Sequence, residues 1–222
     1  MSETEKLRLR FEKSGRAVYI SHLDLMRTMQ RAFKRAGCAL KHSEGFNPHP
    51  ILSILLPLSV GVSSVCELMD FQLTDAEDLS ALPEKLTAVM PEGIRVLEAY
   101  PAERKVRDLK WLRISGTLEY DTVDVGAMRD GLQRFFAQES IVIRKKTKRG
   151  EGESDIAPAI RSIGFTEGEG CVRLSAVISA QEPTLNPDHL IAALRQRAEE
   201  LAPDFAEFTR LEVYDAAMKV FH

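Results

Sequence analysis

Polar and apolar positions alternate over residues 6–12 (KLRLRFE), with Leu7, Leu9 and Phe11 on one face and the basic Arg8 and Arg10 on the other. A period of two marks a half-buried strand. The period changes over residues 21–36, where Met26, Met29, Phe33 and Ala36 recur at helical spacing together with Leu25 and Ala32, predicting an amphipathic helix. Gly37 follows as its stop, because glycine enters the left-handed conformation without a Cβ penalty. Two extended runs come next, 51–58 and 65–73, separated by a turn region at Gly61. Thr74-x-x-Glu77 reads as a capping box ahead of Leu79, Leu82, Leu86 and Val89, and Pro83 within that stretch requires a kink or a late helix start. Residues 94–100 close the set as a strand. The order βαββαβ is that of a ferredoxin-like unit.

The polar stretch 101–108 reads as a linker, because the pattern then begins again with strand 109–120, helix 124–138 and strand 141–146. A basic, glycine-containing loop at 145–153 leads through 155–163 to strand 171–180, a helix over 186–201 and strand 205–214. Asn186-Pro187 suits the cap and first turn of that helix. The expected fold is therefore α+β: two tandem ferredoxin-like (βαββαβ) units with antiparallel sheets, the first over 1–103 and the second, with the basic loop, over 108–222. No residue-level repeat links the halves, so this expectation rests on element order.

With 44% hydrophobic and 28% charged residues, the chain has the apolar content for an ordinary core and lacks the composition of a disordered one. Its longest apolar run, 51–60, is broken by Ser53, Pro57 and Ser59 and is too short to span a bilayer, and residues 1–10 have no apolar leader. Cys38, Cys66 and Cys171 lie far apart and form no C-x-x-C pair, as suits a reducing compartment. A cytoplasmic protein without membrane contact is expected. The net charge of −3 conceals an alternation: 1–50 and 101–150 are net basic, 51–100 and 151–222 net acidic. Arg27, Arg31 and Lys34 form a stripe at i, i+4 and i+7 on the first helix, with Arg8 and Arg10 nearby in sequence, and Arg144, Lys145, Lys146, Lys148 and Arg149 cluster in the second half. These are candidate contacts to the phosphates of RNA.

Two blocks carry candidate ligand chemistry. Ser21 and Asp24 match a capping box, which leaves His22 at the first helical position, where the helix dipole disfavours imidazolium and keeps a neutral ring available. Phe46, Asn47 and His49 stand between Gly45 and two prolines in SEGFNPHP, a rigidified loop of the kind that suits recognition; its plain alternative is a packed turn with Phe46 in the core and Asn47 in an Asx-turn. The expectation is that Phe46, Asn47 and His49 line one cleft near His22. Histidines 22, 42 and 49 with Cys38 or Cys66 are acceptable zinc ligands by type but lack paired short spacing, so neither metal nor cofactor is expected. Phosphate-loop, dinucleotide and nucleophile-elbow motifs are absent from the sequence.

KLRLRFEKSGRAVYISHLDLMRTMQRAFKRAG, HSEGFNPHP, PLSVGVSS and CELMDFQL together resemble the radical-SAM-linked family of uncharacterised domains, with looser continuation to DIAPAIRSI and TRLEVY. Members of that family occur fused to, or encoded beside, a cobalamin-binding radical SAM enzyme, and the resemblance implies such an enzyme as partner. The cysteine triplet that would hold a [4Fe–4S] cluster is missing here, which assigns radical chemistry to a separate protein. The leading reading is an accessory or substrate-binding protein for RNA modification, not a catalyst on its own. The alternatives are a metal-independent ribonuclease-like enzyme using His22 and His49 as acid and base, and a protein-binding scaffold.

Overall fold

The computed structural model describes residues 5–121, 124–147 and 150–222, with 146 and 147 described by their backbone alone. Two compact units emerge, one reaching to Asp108 and including His222, the other Leu109–Phe221.

In the first unit the chain runs β1 (Leu7–Lys13), α1 (His22–Arg35), β2 (Leu52–Ile54), β3 (Ser63–Phe71), α2 (Leu82–Thr87) and β4 (Ile94–Pro101). The sheet order is β4-β1-β3-β2 with every pair antiparallel. Leu7, Leu9 and Phe11 of β1 are buried in one core with Leu25, Met29, Ala32 and Phe33, the apolar face of α1. Phe33 and Phe71 pack with ring centroids 5.0 Å apart and planes tilted by 49°. Full burial of such side chains stabilises by about 1.5–3 kcal/mol each.

Ser21 begins α1, and Gly37, at φ 77°, ends it. The N–H of Gly37 donates to Lys34 O (3.2 Å) and that of Cys38 to Phe33 O (3.0 Å), the paired bonds of a Schellman motif. The Thr74 capping box does not form. Thr74 Oγ1 lies 2.9 Å from the acceptor Asp75 Oδ2 and 3.3 Å from Ala39 O, and α2 starts only at Leu82 with Pro83 in its first turn, where a missing N–H costs nothing.

The second unit contains β5 (Leu109–Glu119), α3 (Val125–Phe136), β6 (Val142–Thr147), β7 (Gly150–Asp155), β8 (Ile160–Glu167), β9 (Cys171–Ser179), α4 (Pro187–Arg197) and β10 (Phe205–Asp215). Its main sheet has the antiparallel order β10-β5-β9-β8, and β6 and β7 form a separate two-stranded sheet. Phe136 stacks on Phe165 at 5.7 Å and meets Phe135 edge-on at 5.0 Å. Residues 145–147 and 150–153 of the segment expected to be a basic loop thus lie in two paired strands, and 155–163 contains a short 3₁₀ turn and the start of β8. Both units are mixed α+β, each with an antiparallel four-stranded sheet.

Candidate nucleic-acid interface

At the start of α1, Ser21 Oγ accepts from the Asp24 N–H (3.2 Å) and donates to Asp24 Oδ2 (2.8 Å). Asp24 Oδ1 accepts from Arg27 Nη1 at 3.0 Å. The Ser21 hydroxyl, followed by Arg27, holds the Asp24 carboxyl below the usual carboxylate range. Ser21 and Asp24 are therefore occupied in capping and in steadying Arg27. His22 is exposed and has no hydrogen-bond partner among the described residues. Further along the same face Arg31 and Lys34 are exposed, and their side chains form no hydrogen bond or ion pair among the described residues. Arg35, beside them, donates to Val89 O at 2.7 Å.

Arg8 does not belong to this surface. It is 1% exposed, with Nε donating to Asp70 Oδ1 (2.6 Å) and Nη2 to Asp70 Oδ2 (3.2 Å) and to Arg104 O (2.9 Å). Arg8 and Asp70 stand opposite each other in the β1–β3 register, so the pair follows from strand alignment. Arg10 is mostly covered as well and donates to Glu98 Oε1 at 2.7 Å. The Arg8 guanidinium reaches a phosphate only by giving up its buried partner Asp70.

The 43–50 loop is closed on itself. Ser43 N–H donates to His49 O (2.9 Å), His49 N–H to Ser43 Oγ (3.2 Å), and Ser43 Oγ lies 2.9 Å from His49 Nδ1. A β-bridge between His42 and Pro50 fixes the base. Gly45 has φ 122°, a conformation L side chains rarely adopt. The packed-turn alternative fails at Phe46, whose ring is fully exposed, and the Asn47 side chain has no partner among the described residues. A small cleft of about 200 Å³ beneath the loop is lined by His49, Pro50, Ile51 and Phe71, not by Phe46 or Asn47.

The expected common cleft with His22 is not formed. The loop sits where β1 begins: Lys41 N–H donates to Gln72 O, and Leu52 and Leu7 both pair with Phe71. His22 follows the other end of β1, where Lys13 pairs with Ser64 and Gly61 N–H donates to Val18 O. The 7 residues of β1 span about 20 Å at about 3.3 Å each. Acid–base cooperation needs contact within about 3 Å or one bridging water, so His22 and His49 do not act on one bond.

In the second unit a larger cleft, about 720 Å³, opens between the β6–β7 hairpin and α4, with Arg144, Lys145 and Arg197 among its cations and Glu151 and Glu153 as its acids. Gln196 grips the hairpin as a neighbouring strand would: its Oε1 accepts from Arg144 N–H (2.8 Å) and its Nε2 donates to Arg144 O (3.1 Å). Arg197 Nη1 donates to Val142 O at 3.1 Å. Arg144 and Glu153 are 3.9 Å apart and both well exposed, a weak pair in solvent. Gln196 and Arg197 escape sequence reasoning, since a helix end beside no motif signals nothing. The side chain of Lys146, and Lys148 and Arg149 entirely, lie outside the described residues.

Residues 6–187 match the model of a family described as an uncharacterized protein conserved in bacteria (DUF2344). No curated protein matches the chain. Among solved structures, a chain in the crystal structure of a Cbf5-Nop10-Gar1 complex aligns with a TM-score of 0.49 at 11% identity, over 93% of this chain and 48% of that one. The present chain thus spans about half the length of that relative. An unknown protein from Galdieria sulphuraria aligns with a TM-score of 0.27 at 11% identity, over 94% of this chain and 99% of that one. No helix among the described residues is long and apolar enough to cross a membrane.

Proposed function

The chain belongs to the bacterial DUF2344 family, matched from residue 6 to residue 187, and we propose that it is an accessory protein that binds RNA and presents it to a separate radical SAM enzyme in the cytoplasm. The observation that carries the RNA part is the α1 surface. Arg31 and Lys34 stand exposed one turn apart with no internal partner among the described residues, and Arg27 stands one turn before Arg31. Cations left unpaired on a helix face are free to exchange counterions with a polyanion, whereas Arg8 and Arg10 are committed to Asp70 and Glu98. The hairpin cleft with Arg144, Lys145 and Arg197 offers a second set of phosphate contacts. The enzyme partner is supported by the SHLD and SEGFNPHP blocks, and the radical step is assigned to that partner because this chain has no cluster-binding cysteine triplet.

We read both units as ferredoxin-like, 1–103 and 108–222, because the orders β4-β1-β3-β2 and β10-β5-β9-β8 follow one permutation if the β6–β7 hairpin is an insertion. Binding of a labelled single-stranded RNA to the wild type and to a variant with Arg27, Arg31 and Lys34 all replaced by serine tests the function. The variant is expected to bind more weakly, with a salt slope shallower by about 0.7 for each phosphate no longer neutralised and an unchanged melting temperature. Absence of RNA binding by the wild type would remove the reading. Co-purification from the native cell then tests whether a radical SAM enzyme accompanies the chain.

A further inference from the structure

Phe46 is the most exposed large apolar side chain described in this protein, at 113% of a reference exposure, so its ring touches almost none of the fold. A mobile tip would give such a ring little use, but this loop is clasped shut by Ser43 and His49, bridged from His42 to Pro50, and stiffened by Pro48 and Pro50. The ring is therefore presented in a set place, and little conformational freedom remains to be lost when something covers it. Next to it stands the Asn47 carboxamide, exposed and without a partner among the described residues.

The surroundings decide what covers the ring. A protein pocket that takes an aromatic anchor is ringed by further close contacts on both sides. Phe46 has only Glu44, Gly45, Asn47 and Pro48 beside it in the loop, while the exposed Tyr19, Leu23 and Val60 lie at the opposite end of β1. A nucleobase asks for less: one open π face and one group able to donate and accept at its edge. Lys34, in the last turn of α1, is on the helix end from which the chain passes through Gly37 toward the loop, so the basic stripe leads toward the ring. Bases inside a duplex are stacked on each other and offer no free face, whereas unpaired bases do.

We infer that Phe46 is a stacking platform for an unpaired nucleobase, with the Asn47 carboxamide at the base edge, so that the RNA taken by this protein is single-stranded at the point of contact. The inference rests on the RNA reading above and specifies its substrate. Full-length protein is titrated against oligoadenosine, oligouridine and a blunt RNA duplex. Wild type is expected to prefer the single strands, and Phe46→Ala to lose about 5- to 150-fold in affinity for them, the worth of one stacked base, with its salt slope unchanged because every phosphate keeps its cation. Phe46→Trp is expected to keep the affinity, and its indole emission to be quenched on adding oligonucleotide, against a background from Trp111 alone.

If Phe46→Ala binds the single strands as wild type does while Arg31→Ser and Lys34→Ser weaken binding, RNA binding stands and the stacking inference falls. If Phe46→Ala leaves RNA affinity unchanged but weakens association with a co-purifying protein, the inference also falls and the loop is a protein anchor. Failure of the wild type to bind any of the three probes removes both readings together.

Discussion

Asp70 accepts both bonds from the Arg8 guanidinium while Lys6 Nζ lies 2.6 Å from its Oδ2, and two of these three side chains are almost wholly buried. Removing one member of a buried, hydrogen-bonded pair leaves the other charge uncompensated, at a cost of about 3–5 kcal/mol, whereas replacing both by apolar groups of similar volume is often neutral. Asp70→Ala is accordingly expected to lower the urea midpoint steeply, and the double substitution Arg8→Met with Asp70→Leu to restore most of it. Equal loss in the double variant would show that the ion pair itself stabilises the unit. This residue also marks where sequence reasoning stops. Alternation correctly placed Leu7, Leu9 and Phe11 in the core, but it assigned Arg8 to solvent because the carboxylate that claims it lies in another strand. The local hint was the presence of two acids, Glu67 and Asp70, inside the largely apolar run CELMDFQL.

Among the elements, helix starts were legible because their signals are local. Ser21, Asp124 and Asn186 all accept hydrogen bonds from first-turn N–H groups. Thr74 misled because its hydroxyl turns to the neighbouring Asp75 carboxylate at 2.9 Å, with Ala39 O at 3.3 Å, and not to a first-turn N–H. The β6–β7 pairing was hidden because GEGESD has no apolar alternation, and its partner strand supplies the order instead. In α4 a histidine completes the cap, with Asn186 N–H donating to His189 Nδ1 at 3.3 Å, which requires that nitrogen to be unprotonated. Burial, then nearby Lys145, holds the His189 pKa below its ordinary 6.5. The unfolded chain therefore binds this proton more readily, so stability is full above pH 6.5 and declines as the pH falls from 6.5 through the lower folded value. His189→Gln, which keeps an acceptor at the same capping position, is expected to flatten that decline in melting temperature. An unchanged slope would place the titration elsewhere.

Taken whole, the molecule was most readable in its succession of elements and least readable in its sites. The SHLD and SEGFNPHP blocks lie close in sequence, yet the strand register puts them at opposite ends of one sheet, information that pairing carries and spacing does not. The hairpin cleft was invisible for the same reason, since Gln196 and Arg197 lie some fifty residues from the backbone they hold. That grip can be followed by hydrogen exchange. With each net bond worth about 1 kcal/mol, Gln196→Ala is expected to speed exchange of the Arg144 amide by about fivefold or more while leaving the β5–β9 amides protected. Because His189 begins the helix that Gln196 helps to finish, mild acid and loss of the glutamine should loosen the same hairpin from opposite ends of α4, making the helix a lever whose footing is an uncharged ring and whose load is one wall of the hairpin cleft.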